Sequence, residues 1–512
     1  MAEFETIEAL VSLMMVATIV GIVASRVKVP YTVSLVLVGL GINALNIVPN
    51  LKLTPELMMT VFLPALLFEA AIHFPARELR QFSPTIATFA LPGVLLAAVL
   101  TALALWLGFS IFGLSHAYGF LHFLLFGTII AATDPVSVIS LLRQLGVDRR
   151  LALLIEGESL FNDGTAIIFY HAVLTALSLG HFEWSESMLQ LISYSMGGLL
   201  IGSMFGLFAS FIITLAEDHL ISIAITTVTA YGSYLVAEKI HMSGILATVM
   251  AGLFVGNFGY QKGFNPNTRV AVTSFWEYVA FFVSSIVFLM MGLEVNVPLL
   301  MSNIPVIIMA YFAVLAARAA SVYLPLPILR RMGQPLDGKS ATVIWWAGLR
   351  GALSMVLALS LPDSIEFKQT LIAMTFGVVV MSVVFQGSTL GMLLRWLKMM
   401  PIRTEAVSFL SKSLARLKAI KAQLEAISKL SSQDLPAAKA LIATLQAERV
   451  EILKGMEARQ AEASFQQAAG LRLTAIEKQL KQIARISYRD SLESNLLTDK
   501  EAEDLMLNLE TP

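Results

Sequence analysis

The sequence sets Glu69, Asp134, Glu158, Asp163, Arg318 and Arg350 inside long apolar runs, with Glu277 and Glu294 nearer the ends of theirs. In hydrocarbon a central Asp, Lys or Arg costs roughly 2.5–3.5 kcal/mol on the insertion scale, so such residues persist where they pair, line a polar cavity or handle ions and protons. A misplaced segment boundary could explain one of them. Four carboxylates with a central arginine are not explained that way.

Three stretches concentrate this chemistry. In Ala131-Ala132-Thr133-Asp134-Pro135 the proline removes a backbone donor and clashes with the carbonyl four residues back, so the helix breaks near Thr133. Freed carbonyls at membrane depth are tolerated where they line a polar cavity, and a broken helix is a recurring cation-binding device of secondary transporters. The plainer alternative is a proline kink, and Asp134 beside it tips the reading toward a site. In Glu156-Gly157-Glu158-Ser159-Leu160-Phe161-Asn162-Asp163-Gly164, helical spacing stacks Ser159 with Asp163 and Glu158 with Asn162. The first stripe offers a hydroxyl and a carboxylate, hard ligands for a small monovalent cation; the second suits a counter-ion. Gly157-Glu158-Ser159 is not a hydrolase elbow, because Phe161 stands where that motif needs its second glycine. In Gly348-Leu349-Arg350-Gly351-Ala352-Leu353-Ser354, glycines weaken the helix around an arginine. A buried guanidinium needs a partner, and Glu158 is the candidate; pairing cancels both charges and leaves Asp163 exchangeable. Snorkelling to an interface is disfavoured by the central position of Arg350 in its apolar run.

The elements that carry these residues belong to a membrane protein. Of 512 residues 57% are hydrophobic and 14% charged, and the mean hydropathy is +0.76, against roughly 25% charged in an ordinary soluble domain. The formal charge of −1 hides a division at about residue 398, between an apolar domain (1–398) and a tail (399–512) rich in Lys, Glu, Gln and Ala. The chain has no cysteine, so thiol chemistry is excluded. Met1 to Glu8 carries three acidic residues and no basic one, unlike a signal peptide, so the first apolar run is expected to be retained. About thirteen apolar stretches are long enough to cross a bilayer, from Ile7–Ser25 to Thr370–Leu394. Under that count twelve short-loop basic residues, among them Arg77, Arg80, Arg143, Arg149, Arg150, Arg330 and Arg331, fall on one side. Three, Lys52, Lys239 and Lys368, fall on the other. The basic side is expected to be cytoplasmic, with the N-terminus outside and the tail inside.

The interrupted stretches are the fifth and the twelfth. Lying seven apart, they run in opposite directions, which predicts an inverted repeat of stretches one to six in eight to thirteen and an ion site where the two breaks approach. In the seventh stretch Gly198, Gly202 and Gly206 recur every four residues and predict a close-packing helix face. In the tail, Leu410, Leu414, Leu417, Ile420, Leu424 and Ile427 mark one apolar helix face, and Asp434 with Pro436 marks the start of a second helix. A self-packed hairpin and a regulatory or dimerising element are both open readings of that tail.

These motifs, with Phe62-Leu63-Pro64-Ala65-Leu66-Leu67-Phe68-Glu69 and Ser243-Gly244-Ile245-Leu246-Ala247, resemble those of the cation/proton antiporter superfamily, specifically its NhaP and NHE-like sodium/proton exchangers. The resemblance spans the apolar domain. It implies an all-α integral membrane fold with two crossing interrupted helices. It also implies that Asp163 binds the ion or the proton, aided by Ser159, Asp134, Glu69 and the backbone of Thr133, and that Glu158 and Arg350 form a structural ion pair beside Asn162. Where electrogenic relatives carry a second aspartate this chain has Asn162, which favours electroneutral one-for-one exchange. A homodimer is implied, with a mobile core moving against a static dimerisation domain.

The expected activity is therefore exchange of Na⁺ or Li⁺ for H⁺ across a plasma (inner) membrane, with no enzymatic chemistry, no cofactor and no nucleic-acid partner. Asp163 holds a cation or a proton but not both, and access changes sides once its charge is neutralised. Rival readings are a K⁺/H⁺ antiporter on the same scaffold, a cation channel, and an intramembrane aspartyl protease using Asp134 and Asp163. The paired breaks disfavour the channel. The protease reading lacks a glycine two or three residues before Asp163 and leaves Arg350 without a role.

Overall fold

A computed structural model of the chain describes residues 2–27, 30–45, 55–111, 118–179, 184–215, 218–259, 266–334, 336–365, 367–400 and 436–458, with single positions between 413 and 420. The chain divides into two compact units, Met1–Met400 and Pro401–Pro512. The described residues are helical, and none is in a strand.

The first unit runs through α1 (Ala2–Val27), α2 (Tyr31–Ala44), α3 (Met58–His73), α4 (Ala76–Ile111), α5 (Phe120–Ile129), α6 (Val136–Leu145) and α7 (Arg149–Leu179). It continues through α8 (Trp184–Ile213), α9 (His219–Lys239), α10 (Gly244–Gly259), α11 (Pro266–Leu293) and α12 (Ile304–Tyr323). It closes with α13 (Gly338–Trp346), α14 (Ala352–Leu359) and α15 (Lys368–Trp396). Among the described residues seven helices are long and apolar enough to cross a membrane, and shorter apolar helices such as α2, α3, α5, α6 and α10 lie between them. α4 starts at Ala76, a decade before the Ile86 that hydropathy alone suggests, because its first turns carry Arg77, Glu78 and Arg80 and form a polar extension.

Helices here approach through small residues, as expected where lipid removes most of the hydrophobic drive for association. The glycine stripe of α8 is such a face. A Cβ on Gly198, Gly202 or Gly206 would collide respectively with the carbonyls of Ser243, Ala247 and Ala251, which repeat along α10 at the same spacing of four. Gly39 of α2 against Leu289 of α11, and Gly127 of α5 against Ala98 of α4, are equivalent backbone contacts. Aromatic side chains fill the space left between these pairs, with Phe68 on Trp276 at 4.7 Å and the Trp276 indole donating to Thr226 Oγ1 at 3.1 Å.

Two crossings are interrupted. α5 stops at Ile129 and α6 begins at Val136, the intervening backbone being non-helical through Pro135; α13 stops at Trp346 and α14 begins at Ala352 after Gly351. Proline explains the first break and the Gly348–Gly351 pair the second.

In the second unit α16 (Pro436–Ala458) is described, and Arg416 binds Glu448 through both carboxylate oxygens at 2.6 and 3.0 Å. That hydrogen bond holds the Glu448 carboxyl below its usual range. The helix expected from Asp434 is seen from Pro436; of the earlier stripe, Leu410, Leu414, Leu424 and Ile427 lie outside the described residues.

Filling the α8–α10 seam should be costly. Gly202→Val is expected to lower stability by about 1–3 kcal/mol, as overpacking does. Gly41→Ala, where nothing lies within 4 Å, should be near neutral. A thermal melt in detergent that ranks the two equally would contradict the seam.

Candidate functional site

Breaking a helix in hydrocarbon frees carbonyls, and the sequence must supply donors for them. Around the α5–α6 break it does so with three side chains. Arg350 donates to the carbonyls of Ala131 at 2.9 Å and Ala132 at 3.4 Å. Asn162 Nδ2 donates to Ala131 O at 3.3 Å and to Thr133 Oγ1 at 3.1 Å. Ser159 Oγ donates to the carbonyl of Thr133. On the opposite break the backbone N–H of Arg350 donates to Ser382 Oγ at 3.1 Å. The two breaks are also joined directly, Asp134 N–H to Leu349 O at 2.8 Å, with Gly351 so close that a Cβ there would sit 2.6 Å from the Cβ of Asp134.

Charge placement follows the half-helix dipoles. Arg350 lies at the C-terminal end of α5, the negative pole, and the Asp134 carboxylate caps α6 at its positive pole by accepting from Val136 N–H at 2.9 Å. Asp163 and Ser159 come from one face of α7. With Thr133, Asp134 and Gly351 they line a cavity of about 100 Å³ whose remaining wall is largely apolar, from Leu66 and Leu67 of α3 to Phe288 of α11 and Val356 of α14. Both aspartates are half-buried, whereas Ser159, Asn162, Glu158 and Arg350 are buried. The arrangement presents three carboxylates, those of Asp134, Glu156 and Asp163, with a hydroxyl and main-chain oxygens around one space, a donor set suited to a small hard cation or a proton.

The ion pair expected between Glu158 and Arg350 is made by another residue. Arg318 of α12 grips Glu158 at 2.6 and 2.8 Å, the side chains being 6% and 2% exposed. The reason is positional. Arg350 stands inside a break, where freed carbonyls claim its guanidinium, while Arg318 stands in an unbroken helix whose own carbonyls are engaged, so it needs an external anion. Glu69 is also placed differently from the expectation. It does not line the Asp163 cavity, and its carboxylate faces His73 Nδ1 at 3.2 Å one turn on. Glu156, which sequence reasoning passed over, does line that cavity and lies 3.8 Å from Arg143. The signal was present: positions 156, 159 and 163 follow the three-and-four spacing of a single helix face.

A family profile described as "Sodium/hydrogen exchanger, transmembrane" matches residues 14–396. The chain belongs to the sodium/hydrogen exchanger family. Among curated members of that family, the chain is 38% identical over 412 residues to the Na⁺/H⁺ antiporter ApNhaP of Aphanothece halophytica, covering 79% of this chain and 76% of that one. It is 32% identical over 345 residues to the Na⁺/H⁺ antiporter NhaP of Pseudomonas aeruginosa, covering 66% and 81%. Among solved structures, the sodium proton antiporter MjNhaP1 from Methanocaldococcus jannaschii shares the fold with a TM-score of 0.64 at 21% identity, over 78% of this chain and 99% of that one. Within this exchanger fold, the crossing of the breaks and the cavity beside it are the features that set the site apart from ordinary helix packing.

The two arginines should behave differently when removed. Arg318→Ala leaves a buried anion and is expected to cost about 3–5 kcal/mol, and adding Glu158→Gln should recover much of it. Arg350→Ala takes the donor from the Ala132 carbonyl and leaves Ala131 with Asn162 alone, at about 1–3 kcal/mol for an unpaired carbonyl, and Glu158→Gln should not help. Equal rescue of both in a thermal melt would refute this division of labour.

Proposed function

We propose that this exchanger moves Na⁺ or Li⁺ against H⁺ by alternating access, with Asp163 binding either the cation or the proton. The observation that carries the reading is that Asp163, Asp134 and Ser159 share one cavity at the point where the two interrupted helices cross. Asp134 and Ser159 complete the cation's ligands, with the main chain of Thr133. Rotation of the Ser159 hydroxyl away from the Thr133 carbonyl frees that oxygen for the ion. Glu69, held by His73, belongs to the approach rather than to the binding set, and Glu158 with Arg318 is a neutral support.

Coupling comes from charge. With the cavity empty and Asp163 ionised, moving the site through an apolar barrier costs at least several kcal/mol, so the loaded or protonated forms move and the empty one does not. Asn162 is spent on the α5–α6 break and adds no titratable group beside Asp163. This supports one-for-one, electroneutral exchange. Counting each interrupted pair as one crossing gives thirteen. An odd count, with the basic loops taken as cytoplasmic, supports an N-terminus outside and a tail in the cytoplasm at a plasma (inner) membrane, in a homodimer whose protomers each hold two inverted six-helix repeats. K⁺ in place of Na⁺ is the alternative cargo on the same ligands.

In proteoliposomes with an imposed pH gradient, Asp163→Asn is expected to abolish Na⁺-dependent proton flux while the protein still melts cooperatively; exchange at the parental rate would refute the assignment. Because proton and cation compete for one carboxylate, the apparent KM for Na⁺ should fall as pH rises, and flux should be indifferent to a potassium-diffusion potential. A KM independent of pH, or flux that follows the potential, would rule out this scheme, and repeating the assay with Li⁺ and K⁺ identifies the cargo.

A further inference from the structure

A second cavity, about 390 Å³, lies away from the aspartates between α4 and α7 on one side and α8 and α10 on the other, walled by residues such as Ala87, Leu91, Phe161, Phe169, Leu199 and Leu246. Its lining is almost wholly apolar. The hydroxyls on its wall are already engaged: Thr165 donates to the Phe161 carbonyl at 2.9 Å and Ser83 to the Arg80 carbonyl at 3.0 Å, and Ser195 also has a partner. Water therefore finds little to bind there, and an empty cavity of this size forfeits the dispersion contacts of all its walls. Ala87 and Leu91 are exposed on the wall, so the cavity opens sideways onto lipid.

One end of this groove is basic. Arg80, Ser83, Ala87 and Leu91 follow one another at helical spacing on a single exposed stripe of α4, so Arg80 stands at the head of the groove. Arg150, at the start of α7, lies over the ring of the buried Phe82 at 5.3 Å, on the face of α4 turned away from that stripe. Among the described residues Arg80 is in no ion pair, and it is exposed. From Leu79 to Leu91 the groove follows α4 for about 18 Å at 1.5 Å per residue, close to one leaflet of a hydrocarbon core about 30 Å thick.

We propose that this groove is a binding site for an anionic glycerophospholipid, one acyl chain lying along α4 between α7 and α8 and the phosphate held by Arg80. The dry wall selects hydrocarbon, the length selects one leaflet, and the exposed Arg80 guanidinium selects a negative headgroup. Because α7 carries Ser159 and Asp163 while α8 and α10 form the glycine-packed pair, the lipid sits between the part of the protein that holds the ion and the part it packs against.

The test is lipid retention measured by native mass spectrometry on the full-length protein released from vesicles of phosphatidylglycerol and phosphatidylcholine. Flux is not the readout, so failure here is separable from failure of the transport assignment. The parental protein is expected to retain phosphatidylglycerol in preference to phosphatidylcholine. Arg80→Gln should reduce that preference about fivefold, the worth of one basic residue at an anionic surface. Ala87→Trp, which fills the open side, should lose the bound lipid of either type. Arg330→Gln with Arg331→Gln, basic and exposed but remote in sequence from the groove, should change nothing. An unchanged preference in the Arg80 variant, an equal loss in the Arg330/Arg331 variant, or lipid retained by Ala87→Trp would each overturn the proposal.

Discussion

Main-chain polar groups released at membrane depth must find donors or acceptors inside the protein, and the centre of this molecule is organised by that requirement. The carbonyls of Ala131, Ala132 and Thr133 are met by Arg350, Asn162 and Ser159, and the carbonyl of Leu349 by the amide of Asp134. All four of these donors lie in the opposite break or on α7. The interrupted helices are therefore unsatisfied apart and satisfied together. The polar side chains of the cavity are by-products of this solution as much as additions to it, since Ser159 and Asp134 serve the backbone and the cavity at once.

The second constraint is electrical. Two arginines and three carboxylates lie close together, and the geometry sorts them by what each can reach. Arg318 and Glu158 neutralise one another in an unbroken region, and Arg350 is taken up by carbonyl dipoles. Asp134 and Asp163 remain, with Glu156, facing a cavity with no cationic side chain among the described residues of its wall. A site meant to host a positive guest has to be short of positive charge, and the arginines are placed so as not to supply it.

Much of this was legible in the sequence because it follows from local chemistry. Pro135 and the Gly348–Gly351 pair announce the breaks, the 159–163 spacing announces the ligand stripe, and the glycines at 198, 202 and 206 announce the α8 face. The identity of the partner to Glu158 was not legible. Arg318 and Arg350 are equally plausible by type, and the choice depends on which of them stands beside freed carbonyls, a fact of three-dimensional placement. Glu69 illustrates a related limit. Its i+4 neighbour His73 was visible, but whether its carboxylate turns to that histidine or toward Asp163 is a rotamer decision that sequence does not encode. The early start of α4 has a simpler cause: hydropathy marks what is buried in lipid, and a helix continues past that limit wherever its backbone remains bonded.

The bond from Asp134 to Leu349 has an evolutionary corollary. It is made by peptide atoms, so exchanging the side chain at 134 or 349 leaves it in place, and only a proline at 134, which lacks the N–H, removes it. Architecture and cavity chemistry are thereby inherited separately: descendants can alter the side chain at position 134, and with it the polarity of the cavity wall, while the crossing of the two breaks is kept.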